Sequence, residues 1–215
     1  MVIVAVMMFS RGESGGPARD PAEAQKLASD VAAKPEDWGS GFTLTGEPPT
    51  GQELQVSQDC TVVPKHNRAG TLADFERDVE NKNSSFGGAS EVRVFDKKST
   101  AKSFLKESED GNHRCPTQRQ EGTRFEQIRE GSTDGLTGFD DVFVEEGTVV
   151  ESDSSGAETR LAYVTVMGNV GDVTLMTLAN VPVGKEADAR NLTKKAMQAM
   201  QKHLEASQNA LPRKR

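Results

Sequence analysis

Residues 158–181, ETRLAYVTVMGNVGDVTLMTLANV, constrain the fold more tightly than any other stretch of the chain. Leu161, Tyr163 and Thr165 stand at one parity and Val164 and Val166 at the other, which is the period of a β-strand. GNVGD at the centre brings turn chemistry, and two strand patterns joined by so short a break form an antiparallel hairpin. Strand patterns precede it in TRFEQIRE and FDDVFVEEGTVVE, with SDSSGAE as a second hairpin turn. In SEVRVFD, Val92 and Val94 alternate with Arg93 and Phe95. Two further stretches are simpler: GFTLTGEPPTGQEL is a loop with a short strand, and QDCTVVP is a short strand closed by Pro64. TLADFERDVE fits a helix as well as a strand, since Leu72, Phe75 and Val79 make a helical stripe, and NKNSSFGGAS is a loop.

Three segments carry helical periodicity. DPAEAQKLASDVAAK has Asp20 as N-cap, Pro21 at the first helical position and Ala24, Leu27, Val31 and Ala32 on one face, with Pro35 as its end. STAKSFLKESEDG turns Ala101, Phe104, Leu105 and Ser108 inward and stops at Gly111. KEADARNLTKKAMQAMQKHLEAS aligns Ala189, Leu192, Ala196, Ala199, Met200 and His203, with Glu186 and Asp188 at its positive end. The sum is an α+β domain: a twisted antiparallel β-sheet with helices packed mainly on one side.

The chain opens on MVIVAVMMF, then turns to the polar SRGESGGPARDP. Nine apolar residues are too few to span a bilayer, which takes about 20, and no basic flank precedes them as in an export signal. The run reads as the remnant of a transmembrane anchor or of a signal's apolar region, with more apolar sequence expected upstream of Met1. The organisation is then residues 1–9 as that remnant, 10–20 as a flexible linker, 21–206 as one sensor-like α+β domain and 207–215 as a basic tail. On this reading the domain works outside the cytoplasm, held by an N-terminal membrane anchor or secreted.

Charge excludes one class of partner. The net charge is −7, and residues 131–183 hold nine Asp or Glu against the single Arg160. Such a body repels phosphate backbones, and no basic patch interleaved with aromatics offsets it, so nucleic acid is not a partner. Cys60 and Cys115 are the two cysteines. In a reducing compartment two distant cysteines read as separate buried thiols, whereas in an exported protein an even count suggests one bridge. His66 and His113 each neighbour a cysteine in sequence, but no spacing matches a zinc pattern, and both sit in polar turns. His203 reads as a core-edge residue. Asp134, Asp140 and Asp141 do not follow the order of a calcium loop. Trp38, the sole tryptophan, is a groove aromatic or, more simply, a core residue. Nucleophile elbow, zinc-protease and phosphate-loop motifs are all missing, so no catalytic residue, cofactor or metal is expected.

The strand-plus-helix unit from Val92 to Cys115, DGLTGFDDVFVEEG, the hairpin from Gly168 to Val173 and the final Ala/Lys helix together resemble the extracellular PknH-like sensor domain. That family occurs in mycobacterial receptor kinases and related actinobacterial exported proteins, and the resemblance covers about residues 22–206. It implies an exported domain with a twisted antiparallel sheet, flanking helices and a cleft for an unknown ligand. It also implies that Cys115 is disulfide-bonded, with Cys60 as the partner available. Family members with two bridges exist, whereas this chain can form one, and without a kinase domain here no signalling output carries over. The expected function is an extracytoplasmic sensor-like or ligand-binding module without catalytic activity, whose partner is an unknown small ligand or envelope component. The alternative is an envelope structural or protein-interaction protein with no small ligand. A binder shows a concave site with convergent polar groups; an interaction protein shows an exposed apolar patch.

Overall fold

The computed structural model describes residues 19–46 and 51–210; the expected membrane remnant, nearly all of the linker and the end of the basic tail lie outside them. Eight strands form one antiparallel sheet, ordered β1 (Thr43–Gly46), β4 (Thr71–Asn81), β5 (Phe86–Phe95), β10 (Val173–Pro182), β9 (Glu158–Val170), β8 (Asp141–Ser152), β7 (Thr123–Glu130) and β6 (Gln118–Gln120). The hairpin read from GNVGD is its centre, β9 and β10, paired from Val170↔Val173 to Leu161↔Pro182 around a two-residue turn at Gly171 and Asp172. A separate two-stranded hairpin joins β2 (Gln52–Val56) to β3 (Val62–His66).

Alternation divides the sheet into two faces. One carries Phe75, Val79, Val92, Val94, Val144, Val164, Val166, Val173 and Leu175, and is covered by α1 (Pro21–Val31), the short α2 (Pro35–Trp38) and α4 (Glu186–Ala210). Ala24, Ala28 and Val31 of α1 and Ala189, Ala196, Met197, Met200 and Leu204 of α4 fill this core, and small residues let the two helices lie close to the sheet and to each other. Of the helices among the described residues, the other face receives α3 (Lys98–Arg114), held through Phe95, Ala101, Phe104, Leu105, Phe143 and Met167. The helices are thus mainly on one side, three against one.

Several local expectations are corrected. TLADFERDVE, which fitted either element, is a strand: Ala73, Phe75 and Val79 share the covered face with Arg77, whose guanidinium donates to the carbonyls of Ala32 (2.6 Å), Ala33 and Ser29 at the C-terminal end of α1. A helix leaves such carbonyls without partners, and an arginine set among apolar positions supplies them, which is why the alternation is obscured. GFTLTGEPPTGQEL contributes two strands, β1 and β2, and the end of NKNSSFGGAS belongs to β5. Pro64 lies inside β3 opposite Leu54; in a two-stranded pair with open edges its missing N–H costs no ladder bond. Pro35 does not simply end α1 but opens α2. α3 runs on through Gly111, which faces the side chain of Val56. α4 continues to Ala210, beyond residue 206.

Candidate functional site

The β2–β3 hairpin and α3 stand on the same, otherwise open, face of the sheet, and a cleft of about 430 Å³ lies between them and strands β8, β9 and β10. The floor is alternate residues of those strands: Phe143 and Glu145, then Tyr163, Thr165 and Met167, then Met176 and Leu178. Phe125 closes one end, and the walls are Leu54 and Val56 of the hairpin and Phe104, Glu107 and Asn112 of α3. A smaller recess of about 150 Å³ continues from Glu145 and Asn112 beneath the end of α3.

The hairpin wall is fixed at both ends. At its tip, Cys60 and Cys115 form a disulfide with a Cα–Cα distance of 5.5 Å, joining the hairpin to the end of α3. The bridge agrees with the pairing that the resemblance implied. Arg114 donates to the carbonyls of Val56 (3.1 Å) and Ser57, and Arg119 N–H donates to Cys60 O (3.0 Å). At the base, Arg93 of β5 donates to Gln52 O (2.9 Å) and Asn67 Oδ1 (3.0 Å), and Gly51 N–H donates to the Asp74 carboxylate (2.8 Å). Arg68 reaches Glu53 at 2.8 Å and Glu107 at 3.1 Å while lying 4.8 Å from the Phe104 ring centre. Burial works to raise the Glu53 carboxyl, but the guanidiniums of Arg68 and Arg93 prevail and hold it below its ordinary value.

At the floor lies a polar group of a different kind. Glu145 accepts from the Tyr163 hydroxyl and from the Asn112 side-chain amide, and Asn112 is oriented by Gln118, which donates to its Oδ1 at 2.8 Å. All its partners are neutral. Burial pushes the Glu145 carboxyl up, and the two donors only oppose it in part. The Tyr163 phenol is also raised, by burial and then by the Glu145 charge, so it stays a donor. The next residue faces the other way: Glu146 is held below its ordinary value by Arg190, with Arg129 at 3.1 Å. Gly147 makes the Tyr163 position possible, because a Cβ there would sit 2.8 Å from Tyr163 Cε1 and 2.9 Å from Glu126 O. One strand beyond Met176, Glu91 of β5 pairs across to Glu76 of β4. Burial, then Glu91 and Asp78, push the Glu76 carboxyl up to about 7.

The other candidates lie elsewhere. Trp38 is a core residue beneath α4, packed over Gly88. Asp140 accepts from Gly171 N–H (2.7 Å) and pairs with Lys98, Asp141 pairs with Lys102, and Asp134 gives its carbonyl to Lys194. His66 ends the exposed part of β3, His113 lies 3.9 Å from Glu130, and His203 on α4 sits 3.3 Å from Val31 O. Among the described residues no group of His, Cys, Asp and Glu is arranged to hold a metal ion, and no helix is long and apolar enough to cross a membrane. Sequence reasoning missed Glu145, Asn112 and Gln118. The available signal was the alternation of FDDVFVEEG, which sets a carboxylate in line with Phe143 on a sheet face.

Comparison with solved structures bears on the fold. The chain is similar in fold to the extracellular domain of PknH from Mycobacterium tuberculosis. The superposition has a TM-score of 0.54 at 13% identity and covers 83% of this chain and 97% of that one. No protein-family model matches the sequence. Nor does any curated protein. The likeness therefore resides in the architecture: a similar fold is built from a sequence with few of the same residues.

Proposed function

We propose that this chain is an extracytoplasmic, sensor-like binding module of the PknH-like kind, without catalytic activity, and that its ligand occupies the cleft under the β2–β3 hairpin. The observation that carries the reading is the cleft itself, a largely apolar floor converging on the Glu145 carboxyl and its donors. Its volume of about 430 Å³ lies within the roughly 300–1,000 Å³ of small-molecule sites. The disulfide and the fold shared with an extracellular domain support a location outside the cytoplasm. An N-terminal membrane tether, or secretion, completes the proposal. Among the described residues the large exposed apolar side chains Leu44, Leu54 and Val183 lie on β1, on β2 and in the turn after β10, which favours a ligand site over a broad protein-docking patch there.

Native mass spectrometry of protein purified from its host tests this. The expected result is an adduct that denaturation releases and that Leu178→Trp, which fills the cleft, removes. A bare wild-type protein, or an adduct that survives the tryptophan, refutes the placement.

A further inference from the structure

We infer that the cleft selects an organic cation: an ammonium head carried on an apolar body, with Glu145 as its counter-charge. The inference rests on the cleft being a ligand site and adds what chemistry it prefers.

Charge accounting within the cleft gives the sign. Arg68 is committed to Glu53 and Glu107, and Arg114 to the carbonyls of Val56 and Ser57. Asp110 is paired with Lys106. The arginine contacts tie the hairpin to α3 and hold both guanidiniums at the walls rather than at the floor. Glu145 is the reverse: it lies at the floor, and both side chains that donate to it are uncharged. A carboxylate in that position lacks the compensation that a buried charge requires. A ligand cation supplies it, whereas a ligand anion meets repulsion there.

The surrounding surface suits the same occupant. Phe143, Met167 and Met176 on the floor and Phe125 at its end offer polarisable sulfur and aromatic faces. Aromatic faces attract alkylammonium groups through the ring quadrupole, and methionine adapts to irregular apolar shapes. Burial raises the free Glu145 carboxyl, and an ammonium beside it draws that group back to the ionised form, so that binding and ionisation reinforce each other. The Gln118–Asn112 contact keeps the amide N–H₂ turned toward Glu145, which orients the carboxylate before a ligand arrives.

Titration calorimetry with three probes of matched length tests the inference: hexyltrimethylammonium, 1-hexanol and hexanoate. The expected order is ammonium over alcohol over carboxylate, with at least a tenfold step from ammonium to alcohol. Glu145→Gln removes the charge, keeps one acceptor oxygen for either Tyr163 or Asn112, and should weaken ammonium binding at least tenfold. Should that variant fold poorly, the probe order on the wild-type protein decides the matter. Alcohol or carboxylate binding as tightly as the ammonium overturns the cation preference and leaves the cleft as a ligand site. Failure of all three to bind overturns both.

Discussion

Glu76→Gln should stabilise the protein at alkaline pH and leave it unchanged at acid pH. Glu76 lies on the open face of β4, directly across from Glu91, with Asp74 and Asp78 along the same strand edge. Its carboxyl is raised to about 7 by burial first and then by these neighbours, against the opposing pull of Arg93. An unfolded-chain glutamate titrates near 4.3. Between the two values the folded state holds the proton and the unfolded state does not, so stability falls as pH rises through that window. The difference is roughly 2.7 pH units, or about 3.7 kcal/mol at 1.36 kcal/mol per unit. Partial solvent access on this face brings the expected gain to about 2 kcal/mol. For a domain of this size that amounts to a melting temperature about 4–8 °C higher for the variant at pH 8, shrinking to none near pH 4.5. Differential scanning calorimetry of both proteins across that range reads it directly. A gain equal at both ends of the range, or a loss at pH 8, would show that like-charge crowding is not what governs this strand pair.

Two other perturbations address the parts that shape the cleft. Replacing both Cys60 and Cys115 by serine opens a bridge across a sequence separation of 55. The cost should be about 4 kcal/mol in the chain-entropy view, seen as a melting temperature lowered by roughly 8–16 °C, and peptide mapping without reductant should recover the linked pair from the wild type. Gly147→Ala should cost about 1–3 kcal/mol by overpacking and disturb the Tyr163 ring signals in NMR spectra; wild-type stability in this variant would refute the close approach of Tyr163 to β8.

What could be read in advance follows physical lines. The β9–β10 hairpin was legible because strict alternation and a two-residue turn coincide, and α1 because Asp20 and Pro21 mark its start and the Asp20 side chain does accept from Ala22 N–H. β4 was not, because Arg77 occupies an apolar-face position for the sake of carbonyls at the C-terminal end of α1. In TRFEQIRE the alternation fails for a backbone reason: Gln127 adopts φ 55° at a register shift, so that Phe125 and Ile128, three residues apart, reach one cluster. The cleft was out of reach for a third reason. Glu145 and Glu146 are adjacent and identical in sequence, yet one meets neutral donors on α3 and β9 and the other meets Arg190 on α4. Their difference exists only once the sheet has two sides.

Those two sides also decide how the protein can be handled. The helices that open and close the described chain, α1 and α4, lie together on the covered face, while the hairpin, α3 and the cleft occupy the opposite one. A tag, a dye or a surface linkage attached through either helix therefore leaves the mouth of the cleft facing solution. An immobilised form coupled through the exposed Lys26 of α1 or Lys202 of α4 can be challenged with mixtures of envelope extracts without blocking the face under test.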